Sequence, residues 1–324
     1  MRHFFQTWIL LPALATLAAT EACAATGSAL PPARCVVPAK PGGGMDVSCK
    51  LIQKSFPADS IQLHYLPGGV GAVAWTSILS QRKATPNTLV AFSGGSLLNI
   101  AEGKFGKAEV GNMRWVAAIG TDYGMIAVRQ DSPYKNLHDL MEAIKRKPSH
   151  LAIGAGGTIG SQDWVKITQI GKLAGIDPKA LKIVAMEGGG EAFTALMANH
   201  VQVVSGDASE ASLHARDGQI RVLAVLSDAR LPGVLEQVPT AREQGYDVTW
   251  PIIRGVYMGP QTSDAEYQFW VHQFQQAMQT RAFEEQRRAF GLYPFSMTGN
   301  ELTKYVDGAI SRYRKLAQEL GMIR

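Results

Sequence analysis

Cysteine is scarce in this chain. Its 324 residues hold three, Cys23, Cys35 and Cys49, and no pair has the short spacing of a metal-binding loop. The seven histidines, His3, His64, His138, His150, His200, His214 and His272, are scattered and form no ligand pair. Neither His-Glu-x-x-His nor Gly-x-Ser-x-Gly occurs, so the sequence offers no zinc-protease or serine-hydrolase signature. No run of Lys and Arg is interleaved with aromatics, which argues against a nucleic-acid partner although the net charge is +5. No low-complexity linker or tandem repeat divides the chain. After the first two dozen residues, no segment is long and apolar enough to span a bilayer. What is present is a 46% hydrophobic composition with 18% charged residues, the balance of a packed globular protein. Glycine is abundant, 33 residues, and much of it is clustered in turns.

The first 24 residues read as a secretory leader. Arg2 and His3 give a positive start, Phe4–Ala19 is mostly apolar, and Ala22-Cys23-Ala24 fits a small-x-small cleavage site. A membrane anchor and lipidation at Cys23 are the alternatives; the run is short for a span, and Glu21 spoils a lipobox. Cleavage near Ala24 would leave Cys35 and Cys49 in an oxidising compartment, the periplasm. A disulfide tying the ends of a glycine turn is expected there, with two buried thiols as the alternative.

Beyond the leader, strand and helix patterns alternate. Strands are expected over 34–38, 61–65, 89–92, 115–119, 125–128, 151–153, 183–185, 201–204 and 221–226. Helices are expected over 46–56, 72–80, 137–145, from Ser161 onward, and over 191–199, 264–278 and 302–320. For the helix after Ser161, Trp164, Ile167, Ile170 and Leu173 are expected to face inward. The pattern predicts an α/β protein with mainly parallel sheets, whose ligands sit beyond the strand C-termini.

Five glycine or serine turns fall at that edge. Pro41-Gly42-Gly43-Gly44 opens onto a helix with Asp46 just inside it, placed to complement the helix dipole and hold the turn's own N–H groups. A second turn, Gly154 to Ser161, has Ser161 as helix cap and Gln162 beside it. Such turns bare backbone N–H groups to an anion, most naturally a carboxylate. The remaining turns contain Ser93 and Ser96, Glu187 to Glu191, and Ser205 to Asp207. A dinucleotide site at the second turn is the rival reading. It is out of register, because Ile159 stands where the third glycine belongs.

Taken together, several motifs in order resemble one family. They are Val37-Pro38-Ala39-Lys40-Pro41-Gly42-Gly43-Gly44-Met45-Asp46, Leu66-Pro67-Gly68-Gly69-Val70-Gly71, Pro86-Asn87-Thr88, Gly154 to Gly160, Glu187-Gly188-Gly189-Gly190-Glu191, Ile220 to Val225, and Val238-Pro239-Thr240 with Glu243 to Tyr246. The chain resembles the periplasmic substrate-binding proteins of tripartite tricarboxylate transporters, the Bug family. That resemblance implies a two-lobed type II periplasmic-binding-protein fold, with two crossing strands and a ligand cleft between lobes. Residues 34–124 plus 254–324 would form one lobe and 125–253 the other. It also implies a non-enzymatic, monomeric receptor that captures a di- or tricarboxylate or related organic acid, uses no cofactor or metal, and serves a permease of large and small subunits. A carboxylate sensor for a membrane kinase and a nucleotide-dependent enzyme are the alternatives. Carried onto this chain, the ligand residues are Ala39, Gly42, Gly43, Gly44, Met45 and Asp46 on one lobe. On the other they are Gly156, Gly157, Thr158, Ser161 and Gln162. Ser93, Ser96, Ser205 and Asp207 line the rest of the cleft. The chain departs from the family at Met186-Glu187, where an aromatic-Lys pair is usual, which sets a carboxylate beside an expected anion pocket.

Overall fold

In the computed structural model of the chain, residues 1, 31–81, 83–106 and 113–323 are described. The leader's residues 2–24 and the cleavage site near Ala24 lie outside them. Among the described residues, no helix is long and apolar enough to cross a membrane.

The strands among the described residues are β1 (Ala33–Val37), β2 (Ile61–Tyr65), β3 (Thr88–Ser93), β4 (Arg114–Arg129), β5 (Ala152–Gly156), β6 (Lys182–Met186), β7 (Val203–Asp207), β8 (Ile220–Leu226), β9 (Pro251–Met258) and β10 (Met297–Thr298). The order along the sheet is β2-β1-β3-β9-β4-β7-β5-β6, with β8 and β10 also paired to β4. The first half holds a parallel β2-β1-β3 trio and the second a parallel β6-β5-β7 trio. The long strands β4 and β9 run antiparallel to their neighbours, so the sheet is mixed and not mainly parallel. A chain that must pass between two halves and return supplies those two antiparallel strands.

β4 is a single 16-residue strand where two shorter ones are expected. Pairing does not lapse between them. Arg114–Tyr123 partners β9, and from Gly124 onward the strand partners β7 and β8. The return passage occurs at Trp250, whose carbonyl accepts the Gly124 N–H at 2.9 Å. This bond extends the β4–β9 ladder to the point where the strands cross between halves. A Cβ at Gly124 would meet the Lys166 side chain at 2.5 Å, so this glycine clears the path of a buried lysine.

The helices are α1 (Gly44–Ser55), α2 (Ala72–Leu79), α3 (Gly94–Ala101), α4 (Leu137–Arg146), α5 (Gln162–Leu173), α6 (Gly189–Met197), α7 (Ala208–Arg216), α8 (Asp264–Met278), α9 (Arg281–Ala289) and α10 (Gly299–Glu319). One core packs α4 and α5 under the second half; another surrounds Trp75, Phe92, Trp115 and Tyr257 in the first. α5 corrects its expected face. Leu173 is 56% exposed, whereas Asp163 and Lys166 are buried beside Ile167 and Ile170. Apolar periodicity misplaces the stripe because a satisfied ion pair, and not another aliphatic, fills the inward position.

Cys35 of β1 and Cys49 of α1 are joined by a disulfide, with Cα atoms 5.7 Å apart and both residues fully buried. The bridge closes a short loop around the first glycine turn. Mass mapping without reductant should recover the Cys35–Cys49 linked peptide, and the Cys35→Ala/Cys49→Ala variant should lose about 3 kcal/mol of unfolding free energy. Two free thiols would contradict both.

Candidate ligand cleft

The C-terminal ends of β1, β3, β5, β6 and β7 each feed a helix N-terminus, and those ends converge on one cavity of about 80 Å³. The first half contributes Pro38, Ala39, Gly43, Gly44, Met45, Val70, Ser93, Gly95, Ser96 and Asn99. The second contributes Gly156, Ser161, Gln162, Asp163, Glu187, Gly188, Gly189, Asp207 and Glu210, and Arg254 reaches in from β9.

Of the residues expected there, Ala39, Gly43, Gly44, Met45, Ser93, Ser96, Gly156, Ser161, Gln162 and Asp207 line the cavity, whereas Gly42, Asp46, Gly157, Thr158 and Ser205 do not. Asp46 turns back into its own lobe. It accepts the Gly42 N–H at 2.8 Å and the Tyr65 hydroxyl at 2.7 Å, and pairs with Lys50. Burial, together with Asp46, pushes the Tyr65 phenol up to about 12. Thr158 lies exposed at the turn's outer side, and the buried Ser205 hydroxyl donates to the Asp163 carbonyl at 2.7 Å. Ser93, Ser96 and Ser161 each accept a backbone N–H through the hydroxyl oxygen, at 3.2, 3.2 and 3.4 Å, which leaves each hydroxyl proton to donate.

The first turn, Pro41–Gly43, packs against Gly190 of the Glu187–Glu191 turn: a Cβ at Gly190 would lie 2.6 Å from the Pro41 carbonyl oxygen and 3.0 Å from the Gly43 nitrogen. Several N–H groups expected to be bare are engaged by protein oxygens. Gly44 donates to Glu210 Oε1 at 2.5 Å, Gly156 to Asp163 Oδ2 at 2.9 Å, and Gly157 to the Met186 carbonyl at 2.7 Å. Carboxylates of the protein itself therefore occupy part of the cradle.

Behind the cavity, four buried carboxyl groups, Asp122, Asp163, Asp207 and Glu210, face two buried cations, Lys166 and Arg254. Lys166 Nζ lies 2.6 Å from Asp163 and 2.8 Å from Asp207; Arg254 lies 2.6 Å from Asp122 and 2.5 Å from Asp207. Burial alone would raise Asp207, but Lys166 and Arg254 hold it below the usual carboxylate range. Burial lifts Asp163 to about 6, against the pull of Lys166, and lifts Asp122 against that of Arg254. Glu210 has no such ion pair, and burial with the adjacent Asp207 carries it well above the usual range.

Sequence reading missed Arg254, Glu210 and Lys166. Arg254 left a signal, since it is the one charged residue in the apolar strand Pro251–Met258. Glu210 left none, for a Glu in the first turn of α7 is ordinary helix chemistry.

Residues 103–322 match the model of the tripartite tricarboxylate transporter family receptor. The chain is 24% identical to BugT of Bordetella pertussis over 297 residues, 90% of this chain and 89% of that protein. It is 22% identical to a UPF0065 protein of the same organism over 294 residues, 90% of each. Among solved structures, the periplasmic binding protein BugD superposes with a TM-score of 0.75 at 18% identity, covering 90% of this chain and 97% of that one. MatC of Rhodopseudomonas palustris with bound malate gives 0.70 at 22%, covering 88% and 98%, and an R. palustris protein with adipate gives 0.76 at 17%, covering 90% and 97%. The fold is thus the two-lobed α/β fold of periplasmic binding proteins. The chain belongs to the tripartite tricarboxylate transporter receptor family.

Proposed function

We propose that this chain is an exported receptor that clamps a small organic acid between its lobes and presents the closed form to a membrane permease of large and small subunits. The leader would direct export and be cleaved near Ala24, and the receptor would act in the periplasm as a monomer. The lobes would be 34–124 with 254–324, and 125–253, rocking about the paired crossings at Gly124 and Trp250. The observation that carries this reading is a cavity lined from both halves of the sheet at the strand C-termini. Malate and adipate in two proteins of the same fold support an acid as the solute. Ser93, Ser96 and Ser161 would donate to its carboxylate, and main-chain amides at the start of α1 would add charge-assisted bonds in a cleft that closure dehydrates. Binding, not turnover, is the proposed activity.

The test is a thermal-shift screen of mature protein against mono-, di- and tricarboxylates, aromatic acids and amino acids, followed by calorimetry of the hits. A ligand present at about a hundred times its Kd should add about 2.7 kcal/mol of stability. If no carboxylate-bearing compound in the screen stabilises the protein, the receptor reading fails.

A further inference from the structure

Resting on the receptor reading, we propose that the acid taken by this cleft also carries a protonated nitrogen, held by Glu210 and Glu187, so that the ligand is a short amino acid or similar zwitterion and not a plain dicarboxylate. Glu210 is only 3% exposed, and it lines the cavity. Its Oε1 takes the Gly44 N–H, while Oε2 meets no hydrogen-bond partner among the described residues. Glu187 lines the same cavity and, among the described residues, accepts only a long 3.4 Å bond from the Val70 N–H. The buried Gln162 Oε1 is a further acceptor without a partner. Among the described residues, the lining thus holds partnerless acceptors at Glu210 Oε2 and Gln162 Oε1 against one partnerless donor, Arg254 Nε, and an ammonium would serve those acceptors once Glu210 ionises.

The charges on every side point the same way. Glu210 faces Asp207 from β7, Asp122 from β4, Asp163 from α5 and Arg254 from β9. Lys166 and Arg254 are already shared among Asp122, Asp163 and Asp207. Adding a dianion would leave its charge uncompensated, whereas an ammonium supplies the missing counter-charge. Among the described residues, no cluster of metal-ligating side chains competes for the role. The carboxylate of the zwitterion would lie at the opposite wall, where Ser93 and Ser96 keep hydroxyl protons to give.

The ion pair requires Glu210 to ionise. Burial and Asp207 favour its protonated form, so an entering ammonium displaces one proton to solvent. Binding then tightens as pH rises toward the carboxyl's own value, whereas a plain carboxylate would bind more tightly as pH falls.

Calorimetry with three four-carbon probes, succinate, 4-aminobutyrate and 1,4-diaminobutane, tests this. 4-Aminobutyrate should bind at least about tenfold more tightly than either of the others. Its affinity should rise from mildly acidic to mildly basic pH, with proton release visible as a buffer-dependent heat. Glu210→Gln keeps an acceptor for Gly44, and should fold with unchanged circular dichroism, lose about ten- to a hundredfold in 4-aminobutyrate affinity and lose the pH dependence. Glu187→Gln, at the cavity rim, should weaken the same probe with less risk to folding. Succinate binding more tightly than 4-aminobutyrate would overturn the inference and leave the receptor reading intact. Failure of 4-aminobutyrate to bind a protein that takes other plain acids from the wider screen would overturn it equally. Loss of every carboxylate in that wider screen is the separate result that removes the receptor reading.

Discussion

Replacing Gly190 by Ala should cut solute affinity by about a hundredfold or more, equivalent to ~2.7 kcal/mol, without destabilising the fold. Gly190 sits in the first turn of α6 and is not among the positive-φ glycines, so its backbone accepts Ala. In a helix that change is worth about 0.5–1 kcal/mol in favour of Ala. The obstacle lies across the cleft. The new methyl would fall 2.6 Å from the Pro41 carbonyl oxygen, 2.9 Å from the Gly42 carbonyl carbon and 3.0 Å from the Gly43 nitrogen. These are backbone atoms of a turn held at one end by the Cys35–Cys49 bridge and at the other by Asp46, and they cannot swing aside as a side-chain tip would. The only relief is to part the two halves. Calorimetry should report the lost affinity, solution scattering a larger radius of gyration, and thermal unfolding an unchanged or slightly higher midpoint. Gly171 of α5 supplies the control, because it lies outside the cavity lining and a Cβ there meets nothing closer than Leu181 at 3.5 Å, so Gly171→Ala should bind nearly as wild type. Full affinity in Gly190→Ala would show that closure of these turns on each other is not part of binding.

The second large effect concerns stability. Arg254→Met should cost about 3–5 kcal/mol of unfolding free energy in urea titration, because it strands Asp122 in the interior and leaves Asp207 with Lys166 alone. Asp122 is fully buried and already accepts from the Ser209 hydroxyl at 2.6 Å and from the Ser209 and Tyr123 N–H groups, but none of those supplies a charge. The deficit should depend on pH in a definite direction. Burial holds Asp122 above the usual carboxylate range even with Arg254 present, and removing the guanidinium raises it further. A folded-state pKa above the unfolded one gives stability that is complete below the unfolded value and is lost as pH rises through the folded value. The variant should therefore be most compromised near neutrality and recover on mild acidification. Adding Asp122→Asn should restore part of the loss, and a purely additive double variant would deny the coupling.

Local pattern carried much of this molecule. The alternation of strand and helix, the bounds of β2 and α8, and the part played by Asp46 in holding the Gly42 N–H are all readable from a few neighbouring residues. The motifs also led to the family and its two-lobed fold. What escaped depends on pairing between distant segments. The fusion of β4 into one strand depends on distant partners, β7, β8 and β9. The choice of Gly190 as the neighbour of Gly42–Gly43 follows from how the halves meet, which no local spacing encodes. The inward face of α5 was misread because Lys166 is a poor core residue until Asp163, Asp207 and the gap at Gly124 are brought around it. Glu210 is the sharpest instance. Only the assembled cleft shows a carboxylate of the protein sitting on an amide that the sequence offered to a ligand.

A crystal structure of the mature protein with its tightest-binding solute tests the central claim most directly. The claim predicts the solute enclosed between Ser93 and Ser96 on one side and Glu187 and Glu210 on the other, with Pro41–Gly43 still seated on Gly190. A solute bound outside that cavity, or bound within it while those two turns stand apart, would contradict the account.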